Sequence, residues 1–123
     1  MSPQATTTLA TPAWLLRGVM NTPGVLVWRA GRLSFTSDEG VVFDEPVTPA
    51  SAVSFPWWYF GGGFKVTAGG RRHRVSLTRP NGAPSPAAAY DLVGLELVSA
   101  AYSIADVAAG RRAGKAWRTV LGA

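Results

Sequence analysis

Cysteine is absent from this chain, and histidine occurs once. The first absence excludes disulfides, thiol catalysis and cysteine-ligated metals, and it fits a reducing cytoplasm. The second excludes a metal site built from several imidazoles. Charge is scarce too: 15% of residues are charged, against about 25% in an average globular chain, while 47% are hydrophobic. No run of about 18 uncharged apolar residues occurs, so no membrane-spanning helix is expected. The richest window, 87–102, is interrupted by Asp91 and Glu96. The opening MSPQATTTLATPA has neither the basic nor the apolar part of a secretory leader. Residues 1–12 therefore read as a disordered polar tail. The remaining 13–123 read as one domain, long enough to bury a core, and the expected location is cytoplasmic or membrane-peripheral.

What is present is apolar alternation in short segments. From Ala13 to Thr78 turn residues recur every eight to twelve positions, the pattern of an all-β region. Ala13–Met20 is a first apolar run, and Asn21-Thr22-Pro23-Gly24 reads as a turn. Gly24–Arg29 and Arg32–Thr36 alternate around Ala30-Gly31, a tight hairpin candidate. Val41–Phe43 follows the break at SDEG. Pro46 and Pro49 cannot donate in a central ladder, so that segment is an edge or connection leading to a short strand at Ala52–Phe55. Gly63–Ala68 and Arg71–Thr78 form a last hairpin around Ala68-Gly69-Gly70. Its period of two puts Val75 and Leu77 inside and Arg72, Arg74 and Ser76 outside. The lone His73, set among arginines, reads as a surface residue.

After a loop at 79–86 the character changes to helical over about 87–121. In 87–102, Tyr90, Val93, Leu97 and Ala101 fit a helical stripe while Leu95-Glu96-Leu97 would equally fit a strand; the opening alanines and the lack of a β-branched run lean it to helix. Ser103–Asp106 resembles a capping box. From Ile104 to Leu121 the stripe Val107, Gly110, Gly114, Trp117, Leu121 opposes Arg111, Arg112, Lys115 and Arg118, an amphipathic helix. Trp117 is the anchor of its apolar side. Gly110 and Gly114 cost about 0.8–1 kcal/mol each in a helix, so close backbone approach is expected to compensate. A homodimer interface between two such helices is the alternative.

Strands followed by one carboxy-terminal amphipathic helix resemble the pleckstrin-homology-like (PH-like) superfold, in particular the bacterial GRAM-like domains. The resemblance rests on GVLVWRAGRLSFTS, PASAVSF, FGGGFKVTAGGRRHRVSLTRP and Trp117. It implies a split β-barrel or roll of six or seven antiparallel strands closed by the helix, and a docking module that is not an enzyme. Its phosphoinositide-binding members carry several cations on the first two strands and their loop. Here only Arg17 and Arg29 stand there, which argues against specific inositol-phosphate recognition.

Three features could carry chemistry. Asp38-Glu39 and Asp44-Glu45 are carboxylate pairs, read as turn solubilisers rather than acid–base or metal groups. Gly61-Gly62-Gly63 lacks phosphate-loop spacing and opens a strand, so it reads as a bulge or corner. The cations, mostly arginine within a net charge of +5, fall into two patches. Lys65, Arg71, Arg72 and Arg74 lie on the last hairpin, and Arg111, Arg112, Lys115 and Arg118 on the helix. Strand alternation through 55–60 would send Phe55, Trp57 and Tyr59 one way and Trp58 and Phe60 the other; a barrel-end core is the first reading, and whichever of Trp57, Trp58, Tyr59 and Phe60 face outward would serve as interface anchors. With the hairpin cations they are the candidate contacts for a partner protein or an anionic membrane surface. A small nucleic-acid-associated protein is the second reading and an enzyme the third; no catalytic, cofactor or metal residues are assigned.

Overall fold

The structure, a computed structural model, describes residues 8–17, 20–56, 59, 61–80 and 107–122. Among these residues six antiparallel strands, β1 (Thr8–Arg17), β2 (Met20–Arg29), β3 (Arg32–Ser37), β4 (Gly40–Pro46), β5 (Gly63–Ala68) and β6 (Arg71–Ser76), precede one α-helix, α1 (Val107–Leu121). They make a single sheet in the order β4-β3-β2-β1-β6-β5. The first four strands are a meander; the β5–β6 hairpin then returns to the free side of β1, pairing Leu15 with Val75. Consecutive strands β4 and β5 thus end at opposite edges, and the sheet curls until those edges approach. Phe43 of β4 lies 5.0 Å from the His73 ring of β6, centroid to centroid. The result is a half-barrel, mainly β with one carboxy-terminal helix.

The concave face holds the core: Leu15, Leu26, Phe35, Phe43, Phe64 and Val75, with Ala113 and Trp117 of α1 seated on them. The central strands are buried on the other face as well, at Ala10, Trp14, Val25 and Val27. Hairpin turns fall where glycine was expected to put them. Arg29 pairs with Arg32 around Ala30 (φ 51°) and Gly31 (φ 79°), the paired positive φ values of a two-residue hairpin. Ala68 pairs with Arg71 around Gly69 and Gly70 in the same way.

Four expectations are corrected. First, β1 begins at Thr8, so the last residues assigned to the tail belong to the sheet. Thr11 is fully buried because its Oγ1 accepts from Nε1–H of Trp117 at 3.0 Å, a partner that local composition cannot reveal. Second, Asn21–Gly24 is strand: Arg17 already pairs with Met20, so the reversal precedes it. Pro23 is tolerated because β3 pairs with β2 only from Gly24 onward. Gly24 is there for space, since a Cβ would run into the Phe35 ring. Third, Ala52–Phe55 is no strand; only Ser54 makes a bridge, to Lys65.

The fourth correction is His73, which is buried at 7% exposure. Residues 73, 75 and 77 share one parity, so the face that takes Val75 and Leu77 takes His73 too. Its Nε2 sits 3.0 Å from the Ala68 carbonyl, which only accepts, so Nε2 carries the proton. Burial pushes the imidazole below its ordinary value, helped by Arg17 and Arg71, against the opposing pull of the Ala68 carbonyl and Glu45. The fold therefore favours neutral His73. Its contribution is complete above the unfolded value of about 6.5 and declines as pH falls below it. Urea unfolding at pH 7.5 and 5.5 should show the loss, and His73→Leu should flatten that part of the profile. An unchanged slope in the variant would assign it elsewhere.

Residues 87–102, the Ser103–Asp106 box, and Trp57, Trp58 and Phe60 lie outside the described residues.

Candidate functional site

The segment after β4 sets the site. Thr48 caps a 3-10 turn at Pro49–Ser51: its Oγ1 accepts from the Ala50 amide, and its own amide donates to Ser51 Oγ. Ala52, at φ 48°, redirects the chain along β5, where Ser54 and Lys65 exchange backbone hydrogen bonds of 3.0 and 2.8 Å. Arg72 clamps this path from the hairpin. Its Nη1 donates to the Ala52 carbonyl at 2.6 Å and to Thr67 Oγ1 at 3.1 Å, and Nη2 donates to Ser54 Oγ at 3.2 Å. Phe55 is thereby pinned, half-buried, 5.1 Å from the Phe64 ring.

Helix α1 approaches from the other side. Its cations stand outward, and its two glycines lie against the chain itself. A Cβ on Gly114 would enter the Gly61 carbonyl, and one on Gly110 would enter Thr78 Oγ1. The expected close approach is thus within the molecule. Gly110, Ala113, Gly114 and Trp117 on that side of the helix are buried. Gly61 meets the helix at φ 78° and Gly62 donates to the Tyr59 carbonyl at 2.8 Å, so the triple glycine acts as a corner.

Docked this way, α1 places the Arg118 guanidinium 4.9 Å above the Phe55 ring. Two open grooves then share Phe55 as a wall. One, of about 500 Å³, is lined by Ser54, Phe55, Pro56, Lys65, Arg72 and Arg74. The other, of about 300 Å³, is lined by Phe55, Gly61, Arg111, Gly114, Lys115 and Arg118. Among the described residues, six cations and no carboxylate line the pair. The two basic patches read separately in the sequence are one surface in the fold.

Not every expected contact belongs to it. Arg71 is exposed beside the hairpin turn and Arg112 is exposed on α1, and neither lines either of these two grooves. Arg72 lines one but spends its guanidinium on the clamp. Tyr59 sits in a turn, its amide donating to Pro56, so the strand alternation expected through 55–60 does not hold there. Phe55, the hinge of the site, was not among the expected contacts. The available signal was helical phase: Arg111, Gly114, Lys115 and Arg118 stand at i, i+3, i+4 and i+7, one stripe with a small residue where a neighbour fits.

The carboxylates of the described residues lie elsewhere. Asp38 and Glu39 form the β3–β4 turn, and Asp44 accepts from Arg32 Nε at 3.1 Å with both side chains 51% exposed. Among the described residues no three His, Cys, Asp or Glu side chains gather as a metal site, and no helix is long and apolar enough to cross a membrane. Fold and surface together define a mainly β half-barrel carrying a cationic double groove. No family model matches this chain, and neither does a curated protein or a solved structure.

Proposed function

We propose that this chain is a non-catalytic docking domain, PH-like or GRAM-like in kind, that holds its double groove against an anionic membrane surface. The observation that carries the reading is the Arg118–Phe55 contact, which fuses the hairpin and helix cations around an aromatic side chain. Cations beside a half-buried ring suit a headgroup layer, where the charges meet phosphate and carboxylate and the ring meets the interface. The grooves are open, which suits a broad surface better than an enclosed small molecule. The PH-like part of the reading draws on the order of elements, a strand meander, a last hairpin and a closing helix. In this reading the domain is membrane-peripheral.

Sedimentation with vesicles tests it. Vesicles containing about one third phosphatidylserine should bind the protein, and pure phosphatidylcholine should not. Binding should weaken with added salt. Arg111→Gln with Lys115→Gln should lower the affinity about thirtyfold, since each surface cation contributes about 1 kcal/mol. Arg29→Gln, outside both grooves, should leave it unchanged. Equal binding to both vesicle types would overturn the reading. So would capture of polyglutamate without capture of vesicles, which would assign the surface to an acidic polypeptide.

A further inference from the structure

The two grooves are not equivalent. In the hairpin groove Arg72 already donates to the Ala52 carbonyl, Thr67 Oγ1 and Ser54 Oγ. The helix groove instead gathers Arg111, Lys115 and Arg118, three exposed cations from one stripe of α1, around about 300 Å³. Side chains three and four positions apart on a helix are neighbours, and like charges there repel. Carboxylates on the same helix commonly relieve such repulsion, but Val107–Leu121 contains no Asp or Glu. The opposite rim, formed by Phe55 and Gly61, carries no charge either. Arg118 is positioned before any ligand arrives, its guanidinium carbon 4.9 Å from the centre of the Phe55 ring. That contact restricts a long side chain that a ligand would otherwise have to order.

Charge decides which anion suits three clustered cations. A phosphomonoester brings about −1.5 to −2 charges and three strong acceptor oxygens. The planar fork of arginine matches such oxygens two at a time. A phosphatidylserine headgroup offers a phosphodiester and a carboxylate, but its own ammonium would have to enter among the three cations. A phosphomonoester has no cation to exclude.

Resting on the membrane reading above, we infer that Arg111, Lys115 and Arg118 form a site for the terminal phosphomonoester of a membrane lipid. Arg118, held by Phe55, grips phosphate oxygens through its fork, while Arg111 and Lys115 neutralise the remaining charge. Arg74 of the hairpin groove adds attraction to any anionic surface without selecting the headgroup.

Vesicles of phosphatidic acid and of phosphatidylserine, each diluted with phosphatidylcholine to one zeta potential, test it by sedimentation with the whole chain. Phosphatidic acid should bind about tenfold more tightly, the equivalent of one additional charge-assisted hydrogen bond. Arg118→Lys keeps the charge and loses the fork. It should cut that preference to about twofold or less while phosphatidylserine affinity stays within about twofold. Arg74→Gln should weaken both lipids alike and leave the preference intact. Equal binding of the two lipids would overturn the inference and leave the membrane reading standing, whereas binding of neither would overturn both. A preference that survives Arg118→Lys combined with Arg111→Lys would place recognition outside this groove and overturn the inference. Displacement from phosphatidic acid vesicles by micromolar glycerol phosphate would assign the site to a soluble phosphomonoester and overturn the lipid assignment.

Discussion

Trp117→Ala is expected to cost the fold about 3–5 kcal/mol, the range for deleting a large buried aromatic. Trp117 is fully buried, its ring centroid 6.2 Å from that of Phe64. Its removal also takes away the indole N–H that Thr11 Oγ1 accepts at 3.0 Å, a contact joining the first strand to the last helix across 106 positions. In a domain of this size the loss should lower the melting temperature by roughly 10–20 °C. Trp117→Phe separates the two contributions. It keeps most of the ring but leaves the buried Thr11 hydroxyl without its donor, at a cost of about 1–3 kcal/mol. Denaturant titration followed by circular dichroism measures both. A Trp117→Ala loss below about 1 kcal/mol would mean that Trp117 does not anchor the helix to the sheet.

Gly114→Ala carries the second large effect, and here two contributions oppose each other. Alanine improves an exposed helix by about 1 kcal/mol over glycine. At this position, however, the new Cβ would enter the Gly61 carbonyl, a backbone atom that cannot swing aside like a side-chain tip. Overpacking a tight contact costs about 1–3 kcal/mol, so the clash wins and Gly114→Ala is expected to destabilise the protein. The consequence reaches the surface. Relief of the clash moves α1 away from the 61–63 corner and takes Arg111, Lys115 and Arg118 away from Phe55. Vesicle binding should therefore fall even where the protein remains folded. A stabilised Gly114→Ala protein with unchanged binding would show that the helix rests on Trp117 alone.

Legibility in the sequence followed the range of the interaction. The β5–β6 hairpin and the cationic side of α1 were readable because alternation and helical phase repeat within a few residues. Asn21–Gly24 was misread because proline, asparagine and glycine are turn formers by composition. Its place in β2 follows from where β3 stops pairing and where the Phe35 ring lies. His73 was legible in principle, since parity places it with Val75 and Leu77. The arginines on either side of it suggested an exposed stretch and obscured that. At the site, the hairpin and helix cations were each recognised. Their meeting at Phe55 was not, because it depends on the Arg72 clamp and on the Gly114–Gly61 approach.

The sequence alone determined a mainly β chain ending in an amphipathic helix with its cations on one side. Propensity, turn chemistry and period are local quantities, and neighbouring residues decide them. Only the tertiary structure decided that Thr11 is buried, that the helix glycines face their own chain, and that Arg118 stands over Phe55. Each of those facts is a contact between residues far apart in the chain. Such contacts depend on how the curled sheet and the helix close on one another, and no local pattern contains that closure.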